Sequence, residues 1–153
     1  MHSHDASLIG GSGFIGSVLA EHLTRAGHSP VILTRSRERA RATWALPGAR
    51  CVECDPYDVN ALGAAIAGCD AVVNLVGILN EKGDRGDGYR RAHVDLTRGV
   101  LDACAQAGVR RYLHMSALNA APAGASHYQR TKGEAEMLVR GSTLDWTIFR
   151  MPT

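Results

Sequence analysis

At 153 residues the chain is long enough for one domain with a full hydrophobic core. Its composition, 45% hydrophobic and 21% charged, is that of a globular protein, and a net charge of +2 is too small to argue for nucleic acid or a membrane surface as partner. No stretch approaches the ~20 apolar residues of a membrane span.

Short apolar runs alternate with helical patterns. "ASLIG" (6–10) reads as a buried strand. Residues 13–26 follow as a helix, with Ile15, Val18, Leu19, Leu23 and Ala26 on one stripe and Gly27 past its end. "PVILT" (30–34) is a second strand, and "SRERARATWA" after it a basic, exposed helix. "ARCVEC" (49–54) is a third strand; Asp58 then caps a helix to about Ala67, with Leu62 and Ile66 inward. "AVVNLVG" (71–77) is a fourth strand, and the polar, glycine-rich stretch 79–88 a mobile loop. A long helix over 89–107 stops at Gly108, and "RYLHMS" (111–116) is a fifth strand. After the loop "NAAPAGA", Ser126 and Gln129 fit a capping box that opens a helix ending at Gly141; "LDWTIFR" (144–150) is a sixth strand.

Nearly continuous apolar strands alternating with helices predict an α/β fold, a parallel sheet covered on both faces. Six strands suffice for the doubly wound, three-layer Rossmann arrangement in the order 3-2-1-4-5-6, with all 153 residues in one dinucleotide-binding domain.

Right after the first strand comes "GGSGFIG", with Gly10, Gly13 and Gly16 three apart. A dinucleotide pyrophosphate sits on a helix N-terminus, where free N–H groups and the helix dipole favour an anion, and side chains on the turn would block its approach. Chance puts such a pattern in only ~0.2 of chains this rich in glycine, and its place between strand and helix strengthens it further. Ser12, Phe14 and Ile15 lie in the same turn and are assigned to the cofactor with it. Arg35, at the end of the second strand, occupies the place where an acidic residue would favour NAD; a guanidinium there suits the 2′-phosphate of NADP. The expected cofactor is therefore NADP(H), with NAD(H) as the alternative. Asp55, ending the third strand, can contact the adenine or cap the turn that follows.

Tyr128 and Lys132 are four apart and share a helix face, a spacing that chance gives in only ~0.05 of chains with this many tyrosines and lysines. Ser116 ends the fifth strand, at the sheet edge where ligands bind. The set suits carbonyl and alcohol redox. Tyrosine can move a proton on the substrate oxygen, an ammonium brings the phenol nearer working pH, and a serine hydroxyl can anchor that oxygen.

The four cysteines, without a secretory signal, read as reduced thiols. Cys51 and Cys54 form a C-x-x-C, but on a strand, positions three apart point to opposite faces, which favours structural thiols over a redox or metal pair. His2 and His4 sit at a frayed end. No metal site is expected.

Gly10, Gly13 and Gly16 together with Ser116 and Tyr128-x-x-x-Lys132 resemble the short-chain dehydrogenase/reductase superfamily. The resemblance covers essentially the whole chain. It implies that Asn74, Val76 and Gly77 line the cofactor, that Lys132 also meets the cofactor ribose, and that His93 stands where many members have an asparagine that helps hold the lysine and a water. "GGSGFIGS", "HVDLTRGVLDAC", "HMSALNA", "SHYQRTKGEAE" and "DWTIFR" are similar to the extended, epimerase/dehydratase-like branch and, within it, to the NAD(P)-binding accessory subunits of respiratory complex I and their bacterial homologues. Members continue past strand six into a substrate-binding region, which this sequence, stopping at Arg150-Met151-Pro152-Thr153, does not contain.

Three functions stay open on this resemblance: an NADP-preferring oxidoreductase acting on an unknown carbonyl or alcohol, a binding module or redox sensor that holds the cofactor without turnover, and a nucleotide-sugar epimerase. It also implies a respiratory or quinone-related partner as the alternative to a small-molecule substrate, and a homodimer; with reduced thiols and no signal the cytoplasm is the default location, extending on the resemblance to the periphery of a membrane complex.

Overall fold

The computed structural model describes residues 2–152. It alternates β1 (Asp5–Ile9), α1 (Phe14–Arg25), β2 (Ser29–Thr34), a 3-10 turn (Arg37–Thr43), β3 (Arg50–Glu53), α2 (Val59–Ile66) and β4 (Ala71–Asn74). A continuous helical stretch follows, made of α3 (Asp87–Tyr89), a π-helical segment (Arg90–Asp95) and α4 (Leu96–Ala107); then come β5 (Arg111–Ala117), α5 (His127–Arg140) and β6 (Asp145–Met151). All six strands are parallel, in the order β3-β2-β1-β4-β5-β6. This is the doubly wound order expected from the sequence. It puts the switch point between β1 and β4, where the crevice beyond the strand ends receives ligands.

Strand alternation divides the core between the two faces. Ile9, Val31, Leu33, Val72 and Tyr112 face α2, α4 and α5, where Leu62, Ile66, Leu96, Val100 and Val139 meet them. Ala6, Leu8 and Ile32 face the other way, toward Ala20 of α1 and Ala40 of the 3-10 turn. On that second side Val73, Leu113, Met115 and Phe149 line a groove of about 730 Å³ with Leu19 and Leu23 of α1.

Caps fall where the sequence puts them. The Asp58 side chain accepts from the Ala61 N–H, and Ser126 and Gln129 form a reciprocal capping box. Each such cap contributes about 1 kcal/mol. Gly108 ends α4 in the left-handed region, at φ +73°.

Four expectations are corrected. On α1, Gly16 and Ala20 are the buried positions, while Ile15 and Val18 are exposed; the helix leans on β1 and its loop through its small residues, which rotates the expected stripe away. The basic stretch after β2 is 3-10 rather than α, and its two buried residues, Ala40 and Thr43, are three apart, the repeat of that helix. β4 stops at Asn74 because the Asn74 Oδ1 takes the Val76 N–H at 3.1 Å, which turns the chain. The stretch read as a mobile loop is organised by Glu81, whose carboxylate accepts the N–H groups of Gly86, Gly88 and Tyr89 at 2.8, 2.7 and 3.2 Å and so caps the helix that follows. Cys51 and Cys54 do pack on opposite faces of the sheet.

Candidate functional site

The glycine loop forms the floor of a cleft of about 460 Å³ at the switch point, lined along its length by Gly10, Ser12, Gly13, Thr34, Arg35, Tyr57, Val76 and Gly77. Gly10 has φ +79°, and a side chain there would come within 3.2 Å of the Val76 N. Gly13 is the N-cap of α1 with no side-chain cap, and the first intrahelical bond runs from Ser17 N to Gly13 O. The N–H groups of Phe14, Ile15 and Gly16 are thus free of helix partners and aligned with the helix dipole, a cradle that fits a pyrophosphate. Phe14 and Ile15 contribute only backbone to it, since their side chains are 86% and 42% exposed and do not line the cleft. Gly16 lies beneath, against Gly11.

At the end of β2, the Thr34 hydroxyl donates to Ser36 O at 2.8 Å and the Ser36 N–H returns to the Thr34 Oγ1 at 3.2 Å, a turn that leaves Arg35 exposed on the cleft wall. Arg39 and Arg91 also line the cleft. The Asp55 Oδ1 takes the Tyr57 N–H at 3.0 Å, so one of its oxygens serves the turn.

His93, Lys132 and Tyr128 gather beside Gly77, and of these four only Gly77 lines the cleft. A Cβ on Gly77 would lie 3.7 Å from Lys132 Nζ and 3.8 Å from His93 Nε2. Lys132 is buried, donates to Met115 O at 2.9 Å, and has its pKa lowered by burial to about 8, against an opposing pull from Glu136. His93 lies on the π-helical segment. Its Nε2 accepts the Ile78 N–H at 3.3 Å, so the ring proton sits on Nδ1 and is donated to Thr131 Oγ1 at 2.9 Å, whose own proton goes to His127 O. Burial, then the Lys132 charge, hold this histidine down to about 4, so it is neutral at physiological pH. The half-buried Tyr128 ring meets His93 and Tyr89 edge-on, with centroids 5.4 and 5.8 Å away. Its pKa is raised, first by burial and then by Tyr89. The expected easing of ionisation by Lys132 is not what this geometry gives, because the ammonium is held on the Met115 carbonyl.

Ser116 lies near the end of β5, as expected. It shares the face of β5 that carries Tyr112 and His114, and its buried hydroxyl donates to Glu136 Oε1 at 2.6 Å, one turn along α5 from Lys132. Arg150 grips the same carboxylate at 3.0 and 2.7 Å, and Arg140 stands at 3.6 Å. Burial pushes the Glu136 pKa up, but the bonds from Arg150 and Ser116 and the nearby arginine charges outweigh it and hold the carboxyl below its ordinary value. This stabilisation is present above the usual carboxylate range and is lost as pH falls through the lower, folded value. Urea melts of Glu136→Gln are therefore expected to show a deficit at neutral pH that closes with the parent on acidification below about 4. A deficit independent of pH would mean that packing, not charge, explains the position.

Asn74 is buried and lies outside the cleft lining. With its Oδ1 fixed by the Val76 N–H, its Nδ2 donates to Tyr112 Oη at 3.2 Å, and Tyr112 donates to His114 Nδ1 at 2.8 Å. The backbone of one turn thereby sets the tautomer of a histidine on the neighbouring strand, and leaves the His114 Nε2–H buried without a partner. Asn74 thus reaches the cleft lining through its bond to Val76. Sequence reasoning missed Arg91, Thr131, His114 and Glu136; only Glu136, four residues past Lys132, carried a visible spacing.

The model of the family described as NAD(P)H-binding matches residues 10–153. Subunit 9 of the mouse mitochondrial NADH dehydrogenase [ubiquinone] 1 alpha subcomplex is 30% identical over 149 residues, 95% of this chain and 39% of its own length. The UDP-Glc/GlcNAc 4-epimerase of Campylobacter jejuni superposes with a TM-score of 0.86 at 20% identity, over 97% of this chain and 53% of its own. The enzyme WbmG of Bordetella bronchiseptica, solved in complex with NAD, gives a TM-score of 0.81 at 21% identity over the same shares of the two chains. The chain spans about two-fifths of the length of the mitochondrial relative. With a match that starts at the first glycine of the loop and takes in the cleft and the Tyr128 helix, the chain belongs to the NAD(P)H-binding family and has its Rossmann fold.

Proposed function

We propose that the protein binds NADP(H) along the switch-point cleft and that Tyr128 and Lys132 move the proton while hydride passes between the nicotinamide and a carbonyl or alcohol. The observation that carries this reading is the single cleft shared by the glycine cradle, Arg35 and Gly77, with Lys132 and His93 packed directly against Gly77. The bound dinucleotide supplies the hydride donor or acceptor. The Tyr128 phenol holds or releases the proton at the substrate oxygen. Lys132, with its pKa near 8, can exchange its Met115 contact for the cofactor ribose and lower the phenol's pKa. Neutral His93 keeps Thr131 and the Ile78 turn in place around them.

A second reading has its own support: the protein holds the cofactor without turnover, as a structural subunit or redox sensor. The Ser116 hydroxyl spends its one proton on Glu136 and has none to donate to a substrate oxygen, and the mouse relative is named as a subunit of a mitochondrial NADH dehydrogenase. A respiratory or quinone-related partner belongs to this reading. Among the described residues no helix is long and apolar enough to cross a membrane, so contact with such a complex would be made from its surface.

Titration calorimetry with NADPH and NADH tests the shared claim. The parent is expected to prefer NADPH, and Arg35→Ala to lose about tenfold or more of that preference, the worth of a charge-assisted bond. A preference for NADH that survives the substitution would overturn the choice of cofactor.

A further inference from the structure

Arg35 shares the cleft lining with Arg91, from a different element. Arg91, on the π-helical segment, lies with its guanidinium carbon 4.0 Å from the centroid of the Tyr57 ring. Tyr57 is itself held, by the bond from its N–H to Asp55 and by a long contact of 3.5 Å from its hydroxyl to Arg91 O. A planar cation stacked on a ring keeps its N–H edge free, and the stacking fixes its orientation before any ligand arrives. Neither Arg35 nor Arg91 forms an ion pair among the described residues, whereas Arg25, Arg41, Arg90, Arg140 and Arg150 all do.

A side pocket of about 500 Å³ adjoins the main cleft and shares Arg35, Cys54, Tyr57 and Arg91 with it; Glu53 and Asp55 complete its wall. No residue of the glycine loop lines it. It therefore lies off the pyrophosphate line, beyond the ends of β2 and β3, where the adenosine ribose of a dinucleotide carries its 2′ substituent. Two carboxylates on the wall oppose an anion. Asp55 is partly engaged by Tyr57, but Glu53 is not, so one arginine would be largely cancelled and a pair is needed.

We propose that Arg91 is a specificity residue for the 2′-phosphate of NADP(H), clamping it together with Arg35 from a position preset by Tyr57. The inference rests on reading the cleft as the cofactor site. It assigns NADP preference to two elements far apart in sequence, the end of β2 and the π-helical segment that also carries His93.

The test uses NADPH, NADH, 2′-AMP and 5′-AMP in calorimetric titrations of the parent, Arg91→Ala, Arg91→Lys and Tyr57→Leu. Arg91→Ala is expected to weaken NADPH and 2′-AMP by about ten- to a hundredfold and to change NADH and 5′-AMP by less than about threefold. Arg91→Lys keeps the charge but loses the planar fork and is expected to fall between. Tyr57→Leu, which removes the stack, should weaken the 2′-phosphate ligands in the same direction. Equal losses for NADPH and NADH in Arg91→Ala, or none for either, would overturn the assignment. If the parent binds NADPH and NADH equally, the clamp is wrong while the cleft stands. If it binds neither, the cleft reading fails and the clamp with it.

Discussion

Gly16→Ala is expected to abolish measurable dinucleotide binding and to lower stability by about 3 kcal/mol, the upper range for overpacking against atoms that cannot move aside. The cause is local. A Cβ at position 16 would stand 2.5 Å from Gly11 Cα and 2.6 Å from the Gly11 carbonyl carbon and oxygen, all of them backbone. The only relief is for α1 to back away from the loop, and that displaces the N–H groups of Phe14, Ile15 and Gly16 that form the cradle. Gly13→Ala is the control. The nearest atom to its Cβ is Gly10 O at 3.4 Å, so the fold has room, but the methyl enters the face of the cleft that a phosphate must approach. Thermal melts and calorimetry should therefore separate the two variants, Gly16→Ala losing both stability and binding, Gly13→Ala binding alone. NADPH binding by Gly16→Ala at parental affinity would remove the loop as the phosphate seat.

The features legible in the sequence are those set by neighbours a few residues apart. The glycine loop, the capping box at Ser126 and Gln129, the Asp58 cap and the alternation that orders the sheet are all of this kind. The features that escaped depend on which face of one element meets which face of another. Ser116 stands near the end of β5 on the face that α5 covers, and its bond to Glu136, eight residues past Tyr128, depends on how that helix is seated. The small residues of α1 outrank its large ones because the loop brings strand and helix too close for a bulky side chain. Gly133 shows the same effect on α5, where a Cβ would overlap the backbone of Ala121 and Pro122; the loop after β5 thus lies directly on the helix beside Lys132. The π-helical segment shifts register inside an apparently regular helix, so nothing in the periodicity of residues 89–107 predicts that Arg91 reaches Tyr57.

Lys132→Met is expected to make the protein more stable at neutral pH while removing whatever turnover it has. The lysine pKa falls from 10.5 to about 8 on folding, chiefly through burial. Between those values the unfolded chain binds more protons than the folded one, so stability rises with pH across that window, and below it the buried ammonium costs on the order of 3 kcal/mol. A methionine of similar length avoids that cost but forfeits the bond to Met115 O, worth about 1 kcal/mol, which leaves a net gain of about 1–2 kcal/mol at pH 7. The gain should shrink as pH rises from 8 toward 10.5, which denaturant melts across that range would show. A Lys132→Met protein less stable than its parent at pH 7 would make the lysine a structural strut. A stabilised one would mark it as a residue kept against the interest of the fold, which is how a catalytic or cofactor-holding group behaves. Tyr128→Phe then separates those two roles. It removes one hydroxyl from a half-buried ring that has no hydrogen-bond partner among the described residues, so stability and NADPH affinity should hold. Reductase turnover over a panel of carbonyls should fall by about 10²–10⁴ if the phenol carries the proton. Turnover equal to the parent's, or none in either protein beside tight NADPH binding, would leave Lys132 as a cofactor-holding residue and the non-catalytic reading as the function.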